Sequence, residues 1–455
     1  MSEFIPPYPE RPREALSALA TLRLARRNFL AIWEDRCFEW EVFSSRLLSR
    51  RVLVCNSPDT VTCAFVEHHD SFERKSPQMR YSLAPLLGDG LFISDGATWR
   101  RRRPIVAQTV HISRMPLFAP IMVQAANETV ERWGLRQGSQ INGLAEMAAL
   151  TAEVICRAVF GQQLGAAQAA DVIAAFTDYQ RRIGQLDMAY FVGLPDWLPR
   201  FHSPAVRRSV KRLHAVLDRI IRDCRERLSD GEASMMRMLL EARDAETGEP
   251  LDDVALRNEA AVIFMAGHET TANSLAWTWY LLSQAPEIED RLHAELAQVL
   301  GGRLPTLEDV PKLLFTRAVF EETLRLYPPV PLLARQALRD ETIRGRRVPA
   351  GSLVIVVPWL LHRHRRYWGK PDHFIPERFL PENAQYRVRH AYLPFSVGPR
   401  ICAGVAFGQT EAILCLATLA QRFRLRLAPG AIVEPVCRLT LRPGDDLRML
   451  IEKRS

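Results

Sequence analysis

The spacing of hydrophobic residues changes along the chain and indicates two kinds of secondary structure. From about residue 115 to residue 330, apolar residues recur every three or four positions, as on one face of a helix. Residues 341–357 have the pattern of two strands about a turn, and residues 422–430 and 437–444 alternate like further strands. The pattern predicts a mainly α-helical fold with a small β part. We expect β-containing parts at roughly 45–65, 340–360 and 422–452, and a helix-rich part at roughly 66–335 and 400–421.

Composition favours a single globular domain over residues 1–455. Apolar residues make up 47% of the chain and charged residues 25%, which excludes disordered and fibrous classes. No internal repeat or low-complexity linker divides the sequence, and Pro328-Pro329 indicates a hinge rather than a domain boundary. The most apolar run, 353–361, is too short for a membrane span and contains a proline. The first twelve residues lack the apolar core of a signal peptide, so we expect a cytoplasmic protein with no membrane span.

The net charge of +8 comes mostly from arginine, which is clustered in three places. The clusters are Arg100 to Arg103, residues 207–212 and residues 363–366. No nucleic-acid-binding motif accompanies them, so we expect no nucleic-acid partner. Two interpretations stay open: these clusters are solvated basic faces, or they form a docking patch for an acidic electron-transfer protein.

One of the eight cysteines, Cys402, lies in a segment suited to metal binding. The others are too sparse and irregular for a disulfide framework, so we expect reduced thiols. Glycines and a proline before Cys402 predict a tight loop, and the residues after it predict a helix. The positive end of that helix favours the thiolate, which is the form that binds metal. Gly398 and Gly404 remove side-chain bulk and permit unusual backbone angles, while Arg400 adds a cation suited to a carboxylate ligand.

The segment Phe395-x-x-Gly-x-Arg-x-Cys-x-Gly404 resembles the haem-thiolate loop of the cytochrome P450 family. The resemblance implies that Cys402 is the axial ligand of a haem b iron. It also implies that Phe395, Gly398, Arg400 and Gly404 contact the cofactor. The expected fold is then the triangular, helix-rich prism that surrounds a buried haem in that family.

Polar residues interrupt the apolar helix predicted between Asp252 and Gln284, in the stretch Ala266-Gly-His-Glu-Thr-Thr271. A glutamate in such a helix is costly unless it is paired or functional. The Thr270 hydroxyl can bond to a carbonyl of the preceding turn, and we expect a groove in the helix there. His268-Glu269 does not begin a zinc-protease motif, because position 272 is alanine where the second histidine is required.

This stretch is similar to the family's oxygen-activation motif. Splitting dioxygen requires two protons, which suits an acid and an alcohol side by side. The resemblance assigns Thr270 to stabilising the activated oxygen, Glu269 to proton relay through water, and Ala266 to the wall of the haem and substrate pocket.

Glu322-x-x-Arg325 and Pro376-Glu-Arg378-Phe379 form a second pair of motifs. An exposed pair of opposite charges three residues apart contributes only a few tenths of a kcal/mol. Together, however, the two motifs resemble the family's structural set beneath the haem. We therefore expect Glu322, Arg325 and Arg378 to form a buried network with no catalytic role.

Four further residues are candidates for the haem propionates: Trp99, Arg103, Arg335 and Arg400. Arginine is always charged and can bind a carboxylate through two hydrogen bonds. The choice of Arg103 rests on the resemblance, and its neighbours 100–102 are expected to face solvent or a redox partner.

The resemblance suggests an apolar substrate pocket formed by Phe92, Ala266, Val330 and Leu332 or Leu333. An apolar pocket holds its substrate by shape, and the geometry over the iron selects the bond that is oxidised. Fatty acids, terpenoids, steroids, aromatics and alkanes all fit this description.

The implied activity is insertion of one oxygen atom of O2 into a hydrophobic small molecule, by hydroxylation or epoxidation. The segment after Cys402 is too short for a flavin reductase domain, so we expect electrons from a separate ferredoxin and ferredoxin reductase, and a monomeric enzyme. Two alternatives are a peroxide-driven haem-thiolate peroxygenase and a haem-binding sensor without turnover. The pair Glu269 and Thr270 disfavours both.

Overall fold

A 32-residue helix, Asp253–Gln284, is the longest element and has other helices packed along its length. The computed structural model describes residues 4–47, 49–161, 166–183, 190, 192–194, 201–226, 234–437 and 439–454. The described helices are α1 (Ala18–Arg27), α2 (Pro58–Thr62), α3 (Pro77–Leu87), α4 (Gly96–Thr109), α5 (Met115–Gly134), α6 (Gly143–Phe160), α7 (Ala166–Arg182), α8 (Pro204–Glu226), α9 (Met235–Glu241), α10 (Asp253–Gln284), α11 (Pro286–Leu300), α12 (Leu314–Leu326), α13 (Pro358–Leu361) and α14 (Val405–Ala420).

Helix α10 begins where the sequence predicts it. Asp252 caps it by accepting a hydrogen bond from the Ala255 backbone amide, and Pro286 follows shortly after its end. The helix is apolar on nearly all faces because α6, α8, α12 and α14 pack around it. Its middle is the exception, since residues 265–267, 269 and 270 are only partly buried. This more open stretch is the one with polar residues.

Gly267 allows α10 and α6 to pack closely. A Cβ atom on Gly267 would lie 2.7 Å from Cδ1 of Ile155 in α6. The missing side chain therefore serves helix packing, and the backbone of α10 stays α-helical through residues 265–271. The groove expected from the sequence is an open face of a continuous helix, not a break in it.

The main sheet contains five strands in the order β1-β2-β8-β5-β3. Strands β2 and β8 are parallel, and the other neighbours are antiparallel. Strand β5 brings Arg335 directly opposite Lys75 of β3. The strands are β1 (Val42–Leu47), β2 (Arg50–Cys55), β3 (Arg74–Lys75), β4 (Gln140–Asn142), β5 (Leu333–Gln336), β6 (Glu341–Ile343), β7 (Arg346–Val348), β8 (Leu353–Val356), β9 (Phe423–Leu427), β10 (Val436–Cys437), β11 (Leu441–Arg442) and β12 (Arg448–Lys453).

The prediction of two strands in 341–357 was wrong by one strand. Strands β6 and β7 form a hairpin whose turn has positive φ at Arg344 and Gly345, and β8 then enters the main sheet. The strands expected near the C-terminus are confirmed, as β9 pairs with β12 and β10 with β11.

Short strands also occur where mainly helical structure was expected. Strands β3, β4 and most of β5 lie within 66–335, and the short helices α2 and α13 lie within the predicted β-containing parts. These elements have two to five residues, too few for a hydrophobic period to identify them. The mainly helical fold class with small sheets is confirmed. None of the described helices is long and apolar enough to cross a membrane.

Candidate active site

The loop before α14 is fixed by backbone contacts around Cys402. The Cys402 amide donates a hydrogen bond of 2.8 Å to the Phe395 carbonyl, and a 3-10 turn covers Gly398–Arg400. Gly398 has a φ of +71°, and a Cβ atom there would collide with the carbonyl oxygen of Phe65. Glycine is thus required at 398 by conformation and by the close approach of another chain segment.

Cys402 lies three residues before α14, and its side chain is accessible. The surrounding protein is nevertheless dense, and burial raises the pKa of the Cys402 thiol. The Gly404 amide, Arg103 and Lys75 act in the opposite direction but do not overcome it. The Gly404 amide favours the thiolate, as expected for a cysteine that precedes a helix, but its effect is smaller than that of burial. A bound metal ion deprotonates a coordinating thiol outright.

Gly404 has an ordinary φ of −89° and is the N-cap residue of α14. A Cβ atom there would lie 4.0 Å from the sulfur of Cys402. That distance is an ordinary contact, so neither an unusual backbone angle nor a collision within the described protein requires glycine at 404.

Three cations meet beside this loop. Lys75 and Arg335 are buried cross-strand neighbours on β3 and β5, and Arg400 lies close enough to affect both. Burial, with Arg400, lowers the pKa of Arg335 to about 9. Burial, with Arg335 and Arg400, lowers the pKa of Lys75 well below its usual range. Within the described residues none of the three forms a close ion pair, although Glu73 and Asp95 lie near enough to Arg400 to oppose the lowering of its pKa by burial. Arg400 Nε is buried without a hydrogen-bond partner.

Such a cluster fits the carboxylates of a haem. Like charges placed directly opposite on paired strands are destabilising, and buried charges are usually paired. An anionic ligand supplies the missing partner. Trp99 completes the cluster, since the Arg400 guanidinium lies 4.6 Å above its ring. Trp99, Arg335 and Arg400 line a small cavity together with Phe65, His69, Phe72, Glu73, Val397 and Pro399.

Arg103 and Arg400 also tie the cysteine loop to other segments. Arg103 Nη2 donates to the Ile401 carbonyl at 2.7 Å, next to the cysteine. Arg400 Nη2 donates to the Ser94 carbonyl at 2.6 Å. The structure thus brings together all four residues that the sequence suggested for the propionates.

On α10, the polar side chains of the Ala266–Thr271 stretch point to different partners. Thr270 Oγ1 donates to the Ala266 carbonyl at 2.6 Å, and Glu269 Oε1 accepts a 2.7 Å hydrogen bond from Thr440. His268 bonds to the Ala148 carbonyl of α6 at 3.1 Å, and burial lowers its pKa to about 4. His268 is therefore a neutral packing residue, while Thr270 and Glu269 lie on the more open face.

A buried acid, Glu411 of α14, lies against Thr271. Burial raises the pKa of Glu411 well above its usual range, and the nearby Thr271 hydroxyl acts in the opposite direction. The side chain has no exposed surface, and neither carboxylate oxygen has a hydrogen-bond partner among the described residues. Glu411 is therefore a buried acid next to the polar stretch of α10.

Glu322 and Arg325 of α12 form a fully buried, bidentate ion pair with N–O distances of 2.6 and 2.7 Å. Arg325 also donates to the carbonyls of His362, Pro371 and His373. Arg378 Nε lies 3.4 Å from Glu322, and the Ile375 amide donates to Glu322 at 2.9 Å. These bonds fasten the 362–378 segment to α12.

The residues suggested for the substrate pocket differ in exposure. Phe92 is partly buried with the Lys75 ammonium 4.7 Å above its ring, which places it beside the cation cluster. Ala266, Val330 and Leu332 are also partly buried. Leu333 is buried in an apolar cluster with Phe65 and Phe72. Of the two leucines, Leu332 is therefore the more accessible.

Two of the three arginine clusters are not free basic surfaces. Arg102 is largely buried and paired with Glu259 and Asp89, so it does not simply face solvent or a partner. Arg363 is buried against Trp359, with its guanidinium 3.7 Å from the ring, and Arg365 pairs with Asp35 and Glu39. Residues 207, 208, 211 and 212 are exposed on α8.

Sequence reasoning missed Lys75, Glu259, Glu411 and Thr440. Lys75 follows Glu73-Arg74 and has the appearance of a surface charge run. Glu411 follows Cys402 by nine residues on a predicted helix, so its position below α10 could have been suspected. Thr440 gives no signal, because only the folded chain brings it to Glu269.

Comparison with known proteins adds independent findings. Residues 7–444 match the family model "Cytochrome P450". The chain is 36% identical to cyclooctatin synthase of Streptomyces melanosporofaciens over 81% of this chain and 80% of that protein. It is 33% identical to cyclooctat-9-en-7-ol 5-monooxygenase of the same organism, over 76% and 74% of the two chains. The crystal structure of the cytochrome P450DA heme domain superimposes with a TM-score of 0.82 at 25% identity, covering 100% of this chain and 99% of that one.

Proposed function

We propose that this chain, which belongs to the cytochrome P450 family and is a haem-dependent monooxygenase, hydroxylates a terpenoid-sized apolar molecule. The observation that carries the proposal is the unpaired cluster Lys75, Arg335 and Arg400 beside the Cys402 loop. The terpenoid assignment is supported by similarity to a cyclooctat-9-en-7-ol 5-monooxygenase and by the apolar side chains near Phe92 and Ala266. A pocket without a charged anchor selects by shape.

We further propose that the haem is haem b, that Cys402 is its axial ligand, and that Phe395, Gly398 and Gly404 shape the loop that holds it. Trp99, Arg103, Arg335 and Arg400 would hold the propionates, because Arg335 is buried beside Arg400 and arginine binds carboxylates through two hydrogen bonds. When bound, haem supplies the activation of O2, and Cys ligation favours cleavage of its O–O bond.

The protein supplies proton delivery through Glu269 and Thr270. The Thr270 hydroxyl donates a hydrogen bond to the Ala266 carbonyl, which leaves the lone pairs of its oxygen free to accept a hydrogen bond. Thr440 holds one carboxylate oxygen of Glu269, and this contact fixes the side chain at the open face of α10. An acid and an alcohol in this position suit proton transfer through water.

We propose that the remaining residues hold or shape the site. Phe92, Ala266, Val330, Leu332 and Leu333 form the substrate pocket, with Leu332 in direct contact and Leu333 behind it. The network Glu322, Arg325 and Arg378 maintains the segment that supports the cofactor loop.

The reaction needs O2 and electrons from redox partners, and we propose that a ferredoxin and its reductase supply these electrons. We also propose that the enzyme is a monomer and forms one domain over residues 1–455. The exposed arginines and lysine of α8 and Arg100, which is 64% exposed, are basic groups open to an acidic partner. We propose a cytoplasmic location, because the eight cysteines are too sparse and irregularly spaced for the disulfide framework of a secreted protein.

The test is turnover with a ferredoxin, its reductase, NADH and O2, using a panel of diterpene alcohols, steroids and fatty acids. We expect a Soret shift and a hydroxylated product with diterpenoids, and Thr270→Ala should consume NADH with little product. Peroxide-driven turnover exceeding the ferredoxin-driven rate would favour a peroxygenase. Hydroxylation of fatty acids alone would overturn the terpenoid assignment.

A further inference from the structure

Residues 88–94 form a loop that lies directly on α10. Gly88 has a φ of +54°, and a Cβ atom there would collide with the side-chain amide of Asn258. A Cβ atom on Gly90 would lie 2.7 Å from Cγ2 of Val262. The 88–94 loop is thus packed so closely against α10 that two of its positions admit only glycine without movement.

A buried carboxylate, Glu259 of α10, holds the middle of this loop. Both carboxylate oxygens accept from the Leu91 amide, at 3.0 and 3.1 Å, and the side chain has no exposed surface. Arg102 Nη1 lies 3.1 Å from Glu259. Arg102 also donates two hydrogen bonds of 2.9 Å to the Asp89 carboxylate, one from Nη1 and one from Nη2. Glu259 therefore connects α10, α4 and the loop in one network.

Phe92 lies between two anchored points of the 88–94 loop, the Leu91 amide and the Ser94 carbonyl. The amide bound by Glu259 belongs to the residue before Phe92, and the Ser94 carbonyl two residues after it is bound by Arg400. Lys75 lies over the ring, and Lys75 is within electrostatic range of Cys402. The Phe92 ring is therefore held beside the cofactor cluster by its neighbours on both sides.

We propose that Glu259 is a positioning residue that fixes Phe92 at the pocket and thereby sets which apolar ligands fit. This proposal rests on the proposed haem-dependent function, but it concerns the shape of the pocket and not the identity of the substrate. Glu259 does not touch the substrate. It acts through the backbone of the 88–94 loop.

The same network gives the pocket a dependence on pH. Burial raises the pKa of Glu259 to about 7, against the lowering effects of the Leu91 amide and Arg102, while Asp89 adds to the increase. Above this pH the carboxylate accepts from Leu91 and attracts Arg102. Below it the protonated acid loses the charge that attracts both donors, so the loop is held less firmly.

The test compares two iron-binding probes, imidazole and 4-phenylimidazole, with the haem-loaded full chain. Both bind iron through the same ring nitrogen, and only the second carries a phenyl ring that reaches the apolar pocket. In Glu259→Gln we expect the dissociation constant of 4-phenylimidazole to rise about tenfold, an effect of about 1.4 kcal/mol, while that of imidazole stays unchanged. With each constant expressed for the unprotonated probe, the ratio of the 4-phenylimidazole constant to the imidazole constant should rise in the wild type as pH falls from 8 to 6, and it should be flat in Glu259→Gln.

Glu128→Gln is the matched control, because Glu128 also pairs with an arginine, Arg157, on another part of the chain. If Glu259→Gln fails to fold, Arg102→Lys replaces it and should raise the pH at which the ratio changes. The proposal would be overturned if a folded, haem-loaded Glu259→Gln variant had the wild-type ratio of 4-phenylimidazole and imidazole dissociation constants and the wild-type dependence of that ratio on pH. A wild type without a haem-thiolate spectrum would instead contradict the proposed function.

Discussion

At the scale of single residues, Gly398 is constrained twice. Its positive φ disfavours any side chain, and the Phe65 carbonyl occupies the space that a Cβ atom would need. Gly430 has the same φ of +71° but nothing within 4 Å of a Cβ atom there. A substitution at Gly430 therefore tests the effect of backbone conformation alone, while the same substitution at Gly398 adds the effect of a collision.

We predict that Gly398→Ala lowers haem content to a small fraction of wild type, because the loop must move away from Phe65. Gly430→Ala should cost only about 1–2 kcal/mol of stability, the usual cost of the left-handed conformation, and keep full haem content. Haem per protein, from the absorbance of purified samples, and thermal unfolding check both. Equal haem loss in the two variants would show that conformation alone is responsible.

At the scale of elements, α12 is joined to the 362–378 segment through one buried guanidinium. Arg325 makes two hydrogen bonds to Glu322 and three to backbone carbonyls, so all five of its N–H donors are used within the network. A lysine has a single nitrogen and cannot span these partners.

We predict that Arg325→Lys destabilises the fold by about 3–5 kcal/mol, since it leaves buried charge and carbonyls unsatisfied. Arg237→Lys is the control, because Arg237 pairs with the exposed Glu241 on α9 and should change stability by less than about 1 kcal/mol. Urea unfolding of both variants measures the difference. A loss of under about 1 kcal/mol in Arg325→Lys would contradict a structural role for the network.

At the scale of the whole molecule, cofactor binding and folding are coupled through the cation cluster. Lys75 comes from β3, Arg335 from β5 and Arg400 from the loop before α14, and only Arg400 is offset by nearby acids, Glu73 and Asp95, among the charges that act on these three described residues from within the protein other than Cys402. In the folded chain without haem, the repulsion between these buried cations destabilises the protein. An anionic ligand removes that repulsion. Ligands that bind only the folded state stabilise it by mass action.

We predict that Lys75→Met stabilises the haem-free protein by about 1–3 kcal/mol, the cost of burying an unpaired polar group, and weakens haem binding about tenfold. Lys312→Met, at a 60% exposed side chain, should change neither quantity. Thermal unfolding of the haem-free protein and haem titration measure the two effects. A haem-free Lys75→Met protein that is less stable than wild type would contradict the coupling.

The sequence by itself determined the fold class, the long α10 helix and the motifs around Cys402, Thr270 and Glu322. These features are local: a helical period, a cap and a fixed spacing are complete within one segment. The spacing of Glu322 and Arg325 predicts a shared helix face without any knowledge of the rest of the chain.

Only the tertiary structure decided which charges are buried and what they face. Lys75 and Arg102 lie in ordinary-looking charge runs, yet Lys75 faces Arg335 across a sheet and Arg102 joins Glu259 to the 88–94 loop. These partners are more than 150 residues apart in sequence. A residue's pKa and role depend on desolvation and on neighbours brought from distant segments, and neither is encoded in local spacing.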